Sequence, residues 1–300
     1  VEGGEGVVRI GVNPIIWSND DLLTLGGDIS LERCLTEARS AGYEGIELGH
    51  KFPRDPKALR EVLSGHDLDL ISGWWGTRLL ERTVEEELDA LEPHLNLLAG
   101  LGCDVLVLAE VTGAVHPDRS TWWERRPVLH PGTLKRLGAD LSRLADHTRR
   151  RGVRVAYHHH VGTVIQSAPE IHGLMAATAE SVGLLLDTGH AVVAGVSPEE
   201  LLDRHGRRIC HVHLKDVRPG PLEAAGLRKS SFLDAVVDGM FTVPGDGMVD
   251  FPPVFKGLAE HRYRGWLVVE AEQDPLRAPP LDYATRGYGF VRAGVRAAGL

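Results

Sequence analysis

The chain has 300 residues, with 33 Lys+Arg against 42 Asp+Glu, a formal charge of −9 with histidine neutral. Hydrophobic residues at 43% and charged residues at 25% are the proportions of an ordinary globular protein, and the acidic balance argues against a nucleic-acid partner, which needs a basic face. No apolar run approaches the roughly 18–20 residues of a membrane span, and the opening VEGGEGVVRI lacks the basic-then-apolar order of a signal peptide.

Short β-branched runs recur along the chain: VVRIGVN (7–13), GIEL (45–48), LDLISGW (68–74), DVLVLA (104–109), VRVAYHH (153–159), GLLLD (183–187), ICHVHLK (209–215) and GWLVVEAE (265–272). Between them lie LERCLTEARSAG, PKALREVLSGH, VEEELDALEPHLNLLAGLG, TLKRLGADLSRLADHTRRRG, PEIHGLMAAT, PEELLDRHG, SSFLDAVVDG and PPVFKGLAEHR, and a last segment near YGFVRAGVRAAG. Their apolar residues recur at i, i+3, i+4 and i+7, and several end at Gly, a frequent helix C-cap. No Pro/Ser/Gly-rich linker divides the chain, so residues 1–300 are read as one (β/α)8 TIM barrel domain. A doubly wound open sheet is the runner-up, weakened because no GxGxxG follows the first run.

In a barrel, side chains alternate between interior and helix layer, and catalysis belongs at the C-terminal strand ends. The seventh run sends His211, His213 and Lys215 to one face, leaving Val212 and Leu214 for the helices. The fifth does the same with His158 and His160, opposite Val155 and Tyr157, so that His159 points away. The eighth offers Glu270 and Glu272, the sixth ends in Asp187, the second offers Glu47, and the fourth offers Glu110 on the face opposite Val107. Burying so many ionisable groups is tolerated only if they pair or bind a cation.

Two carboxylates and two imidazoles, Asp187, Glu270, His158 and His213, make a divalent-metal site whose formal charge of −2 would neutralise the ion. Mixed O/N ligation suits Mn²⁺ or Co²⁺, with Zn²⁺ and Mg²⁺ as alternatives, better than Ca²⁺. The competing reading is a set of hydrogen-bonded core residues. Convergence of four ligand-type residues from strands five to eight favours the metal; YHHH or DTGH alone is a weak signal.

Taken together, GIELGHKFPRDP (45–56), YHHHVGT (157–163), LLLDTGH (184–190), HVHLKDVRP (211–219), FTVPGDG (241–247) and GWLVVEAEQDP (265–275) resemble the inosose dehydratases of myo-inositol catabolism, in the xylose isomerase-like barrel superfamily. The resemblance runs from the first strand to about Pro275 and implies a metal held by His158, Asp187, His213 and Glu270. The wider superfamily usually has Glu where His158 stands, a departure that weakens an isomerase or epimerase mechanism built on two carboxylates.

A cyclic polyol ketone carries an acidified C–H beside its carbonyl and a hydroxyl one carbon further. Dehydration needs a Lewis acid for the ketone, a base for the α-proton and an acid for the leaving hydroxide. His160, two residues beyond His158 on the same face, can reach the substrate; a histidine at the matching position acts in acid/base catalysis in the related dehydroshikimate dehydratases, and the resemblance implies the same role here. Lys215 is read as an oxyanion stabiliser and His190 as a ligand for a hydroxyl or the ketone oxygen. Substrate contacts are expected from Glu47, Glu110, Lys51 and Glu272, and from Trp75 among the tryptophans Trp17, Trp74 and Trp75 that follow strands one and three. For each polar residue an internal salt bridge is the competing role.

Other classes fit less well. A barrel of this superfamily that cuts DNA at abasic sites needs more metal ligands and a basic groove. A non-catalytic carbohydrate-binding module needs no metal, base and lysine in one pocket. A sugar isomerase or epimerase working through the same enediolate is the closest rival. Cys34, Cys103 and Cys210 show no CxxC spacing, which points to a reducing cytoplasm. The expected partner is a small polyol ketone, with no nucleic acid or membrane involved; a homo-oligomer is compatible with the sequence.

Overall fold

The computed structural model describes residues 8–300; the VEGGEG segment and Val7 lie outside them. Eight parallel strands close into a barrel: β1 (Arg9–Val12), β2 (Gly45–Leu48), β3 (Asp69–Thr77), β4 (Val105–Glu110), β5 (Arg154–His158), β6 (Val182–Asp187), β7 (Ile209–Leu214) and β10 (Trp266–Val269). Around the barrel the order is β1-β10-β7-β6-β5-β4-β3-β2. Two short strands, β8 (Asp216–Val217) and β9 (Phe241–Thr242), form an antiparallel pair in the connection between β7 and β10. Each barrel strand overlaps its predicted run.

The helices begin where the sequence caps them. Ser30 accepts the Arg33 N–H ahead of Leu31–Ala41, and Thr83 and Glu86 form a reciprocal capping box ahead of Val84–Gly100. Two helices go beyond the sequence-based expectation. Thr188–Val193 is too short to show a period, and Pro219–Arg228 carries two Gly and two Pro that break one up. The final helix also starts earlier than expected, at Pro280.

The barrel interior is layered. At its N-terminal end Ile71 and Trp266 fill the space above Gly11 and Gly45. Next comes a small apolar cluster of Val105, Val107, Ala156, Leu185 and Cys210. The ionisable residues occupy the C-terminal layer. Outer strand faces such as Ile46, Leu106, Leu108, Val155, Leu186, Val212 and Leu267 join the helices in the main core. A second core of Trp123, Val161, Val217, Phe232 and Phe241 ties together the loops after β4, β5 and β7 on the C-terminal side.

A side chain at Gly45 would strike Ile71 Cγ2 and the Trp266 ring. Gly45→Val should therefore overpack the floor and lower stability by about 1–3 kcal/mol. The expected sign is a lower denaturant midpoint at unchanged m-value; an unchanged midpoint would show that the floor yields freely.

Candidate active site

β7 delivers the centre of the site. Its alternation puts His211, His213 and Lys215 inward, all at most 3% exposed. His211 Nε2–H and His213 Nε2–H both donate to Glu47 Oε1, at 2.8 and 3.1 Å, while Asn13 Nδ2 donates to Glu47 Oε2 at 2.6 Å and Ser72 Oγ donates to Oε1. Burial would raise the Glu47 pKa, but His213 and His211 outweigh it and hold this carboxylate well below its ordinary range. A carboxylate only accepts, so the His213 proton sits on Nε2 and its Nδ1 lone pair faces the opposite way.

What that lone pair meets is informative. Glu270 Oε2 lies 2.5 Å from His213 Nδ1, and Asp187 Oδ2 lies 3.5 Å from it. Among the described residues neither oxygen, nor Nδ1, is satisfied by a hydrogen bond of good geometry. His158 Nε2 is 3.6 Å from the same Asp187 oxygen. The other Asp187 oxygen is engaged, accepting the His190 N–H at 2.7 Å and capping the short helix Thr188–Val193. Buried acceptor atoms from β5, β6, β7 and the end of β10 thus converge on one point, an arrangement that is repulsive unless a proton or a metal cation sits among them. Burial pushes the His213 pKa down, yet Glu47, Glu270 and Asp187 overcome it and hold His213 well above the imidazole range, so a proton on Nδ1 takes the place that a metal ion would otherwise fill. Two carboxylates and two imidazoles suit a first-row divalent ion. The donor set fits the group the sequence implies.

Lys215 is the fixed counter-charge. Its ammonium is fully buried, 2.6 Å from Glu270 Oε1, 2.9 Å from Glu272 Oε1 and 3.8 Å from Asp187 Oδ2, over the Phe241 ring. Burial would discharge it, but the three carboxylates keep its pKa above that of a free lysine. It braces the carboxylates and does not line the pocket. For Glu272, burial together with Glu270 prevails over Lys215 and raises the carboxyl to about 7.

The pocket opens above these groups as a cleft of about 700 Å³ including its mouth. His160 lines it and donates from Nδ1–H to the Val161 carbonyl at 2.8 Å, which leaves Nε2 bare. Burial, then His116, His158 and Lys215, hold its pKa well below the usual value, so the imidazole is neutral and able to accept a proton. His190 lies behind it, 3.9 Å from the His160 ring centroid and 1% exposed, accepting the Val161 N–H on Nδ1. Stacked against Phe232 and within 5.3 Å of the Phe241 ring centroid, His190 supports His160 and does not reach the cleft.

Three expected substrate contacts are corrected by the geometry. Glu110 faces the helix layer, accepting the Leu79 and Thr112 N–H groups. Val107, taken as outward, lines the pocket. Register couples β3 to β4, Trp74 pairing with Val107 and Trp75 with Leu108. Trp74 therefore lines the cleft, while Trp75 turns outward, donates to Glu87 at 2.7 Å and packs on His94. Lys51 donates to the carbonyls of Gly26, Gly27 and Ile29, which clamps the loop after β1 and leaves the ammonium no role in the cleft. Trp17 is fully buried, donating to Glu37.

Sequence reasoning passed over Asn13, Asp21, Ser72 and His116, which also line the cleft. Asn13, Asp21 and His116 stand on loops after strands and Ser72 within β3, so the rule that barrel chemistry sits at C-terminal strand ends would have flagged the loop residues.

Comparison with known proteins agrees with this picture. A family model for xylose isomerase-like TIM barrels matches residues 35–293. The rhizopine catabolism protein MocC of Rhizobium meliloti is 48% identical over 293 residues, 98% of this chain and 90% of that protein. An inosose dehydratase of Geobacillus thermodenitrificans is 42% identical over 290 residues, 96% of this chain and 97% of its own; one from Clostridium tetani is 40% identical over 287 residues, 95% of this chain and 96% of its own. Among solved structures, a xylose isomerase domain protein from Alicyclobacillus acidocaldarius superposes with a TM-score of 0.70 at 19% identity, covering 98% of this chain and 100% of that one. A probable 3-DHS dehydratase from Bacillus anthracis gives 0.69 at 12%, covering 95% and 99%. At those identities the structural likeness shows the fold alone.

His213→Ala and Glu270→Ala should each weaken binding of Mn²⁺ to the protein, because each removes one of the converging lone pairs. Calorimetric titration with the metal alone checks this. A variant that binds as tightly as the parent shows that its residue is not a ligand.

Proposed function

The chain belongs to the xylose isomerase-like TIM barrel family and is a hydro-lyase, and we propose that its reaction is the metal-dependent elimination of water from 2-keto-myo-inositol in inositol catabolism. The observation that carries the reading is the neutral His160, its bare Nε2 turned to a cleft floored by His158, His213 and Glu270, with Asp187 buried beside them. The names of the curated relatives, inosose dehydratases at 40–42% identity, supply the substrate.

Each residue then has a task. His158, Asp187, His213 and Glu270 would hold the divalent ion, and we assign Mn²⁺ or Co²⁺ from the mixed donor set. When bound there, the ion supplies Lewis-acid polarisation of a ketone oxygen, worth several kcal/mol of charge stabilisation. Glu47 fixes the tautomer of His213, and Lys215 holds the carboxylates in place. His160 Nε2 removes the proton beside the ketone. Trp74, edge-on to His158 and His160, presents an apolar wall to the C–H face of the ring. The enol left by loss of the β-hydroxyl tautomerises to a trihydroxycyclohexane-dione. His158 in place of a carboxylate leaves the fifth strand without the second acidic base that an epimerase of this kind would use, which favours elimination. Three buried free thiols suit a reducing compartment, and we assign the cytoplasm.

Incubating the metal-loaded protein with 2-keto-myo-inositol should produce dione absorbance and a mass decrease of one water. A product isomeric with the substrate would overturn the reading in favour of an isomerase or epimerase. Chelation should abolish turnover and Mn²⁺ or Co²⁺ restore it.

His160→Gln should lower kcat by about 10²–10⁴-fold with full metal content, the usual worth of a general base. His158→Gln should instead lower metal occupancy, with partial rescue by excess Mn²⁺. Elemental analysis beside kcat separates the two; wild-type turnover in His160→Gln would remove His160 from the mechanism.

A further inference from the structure

Elimination needs an acid as well as a base, and the residues assigned so far leave the acid unnamed. Lys215 and His190 are enclosed below and behind the cleft. Glu47 is an ionised acceptor already holding its neighbours' protons. Glu272 is committed to Lys215, and Asp20 to His50 at 2.7 Å. What remains at the wall of the cleft is His116, on the loop after β4, facing Asp21, on the loop after β1.

We propose that His116, partnered by Asp21, is the general acid that protonates the departing hydroxyl of the substrate. The proposal rests on the dehydratase reading above. Three observations carry it. The His116 imidazole lines the cleft with its ring centroid 4.7 Å from that of His160, so acid and base flank the same volume. Among the described residues its buried Nδ1 finds no partner, and its Nε2 lies 3.8 Å from Asp21 Oδ2. Its loop is also docked rather than free. Val115 N–H donates to the Gly162 carbonyl at 2.9 Å, and a Cβ at Gly162 (φ 83°) would come within 2.9 Å of the His116 nitrogen. The glycine of YHHHVGT thus admits the His116 backbone to the neighbourhood of the base. Arg119, three residues on, pairs with Asp234 and anchors the far side of the loop.

In the step itself, His160 Nε2 takes the proton from the carbon next to the ketone. The C–H electron pair becomes the new C=C bond, and the C–O pair leaves with the hydroxyl oxygen. The proton on His116 completes a water molecule. His160 ends with one proton more and the His116–Asp21 pair with one fewer, and return of that proton through solvent in the open cleft restores both. Burial lowers the His116 pKa, partly offset by Asp21; burial and Asp20 raise that of Asp21.

The test separates the two proton transfers. In D₂O, NMR reports exchange of the α-proton, which needs the base alone, while loss of water needs base and acid. His116→Gln should keep α-proton exchange and metal content while kcat for dehydration falls by about 10²–10⁴-fold. An analogue carrying fluoride in place of the departing hydroxyl, which needs less protonation, should recover most of that loss. Asp21→Asn, on a half-exposed loop where the fold is not at stake, should show the same split in weaker form. If His116→Gln dehydrates at the wild-type rate, or if exchange and dehydration fall together without rescue by the fluoro analogue while Asp21→Asn is unaffected, the assignment is wrong. Wild-type protein that exchanges or isomerises the substrate without releasing water would instead overturn the dehydratase reading itself.

Discussion

The structure depends on a constraint in its C-terminal layer: four carboxylates, Glu47, Asp187, Glu270 and Glu272, are buried in one barrel end with a single lysine among them. A buried carboxylate survives ionised only beside donors or cations. Glu47 satisfies this with His211, His213, Asn13 and Ser72, which lie on three different barrel strands or the loops at their ends. Glu270 and Glu272 satisfy it through Lys215, but one oxygen each of Glu270 and Asp187 is left facing His213 Nδ1, with room there for a proton or a metal ion. That residual negative field is the chemical asset of the protein. It turns a potential fault in packing into a cation site, with donors held rigidly by strands rather than loops.

The rest of the cleft is arranged around that field. Imidazoles adjoining it are buried and short of acceptors, so burial keeps His158, His160 and His190 neutral while His213, enclosed by carboxylates, is driven the other way. One residue type thus serves as donor atom, base and support according to what surrounds it. The second apolar core, from Trp123 to Phe241, is what holds the supporting histidine in place: Phe232 and Phe241 press His190 against His160, and the Val161 carbonyl accepts a hydrogen bond from the His160 ring while its N–H donates to His190. Catalytic histidines on loops gain the precision of strand residues through that packing.

Alternation made much of this legible before any coordinates. In β7, and in the residues that run off the end of β10, polar and apolar side chains alternate, so the inward face of His211, His213 and Lys215 and of Glu270 and Glu272 follows from a period of two, while in β5 the outward Val155 and Tyr157 set the phase for His158. Alternation carries no phase where both faces of a strand are apolar. VLVLA in β4 is apolar on both faces, as a parallel strand enclosed by barrel and helices must be, so the face of Glu110 hung on the choice of which valines fill the interior. Choosing the wrong phase moved Glu110 into the cleft. β3 takes its phase from the ladder it forms with β4, so register alone decides that Trp74 faces the cleft and Trp75 does not.

The sequence by itself therefore determined the barrel, its inward ionisable residues on strands with mixed faces, and the family to which the motifs belong, because these are properties of local periodicity and of residues close together in the chain. Only the tertiary structure decided which of two apolar faces fills the barrel, that Lys51 clamps a loop, that Lys215 and His190 stand outside the cleft, and that His116 and Asp21 stand within it. Those outcomes depend on contacts between loops far apart in sequence. Val115 meets Gly162, and Lys51 meets the Gly26–Ile29 turn, because the closed barrel gathers all its C-terminal ends into one ring, and no period in the chain records which loops become neighbours there.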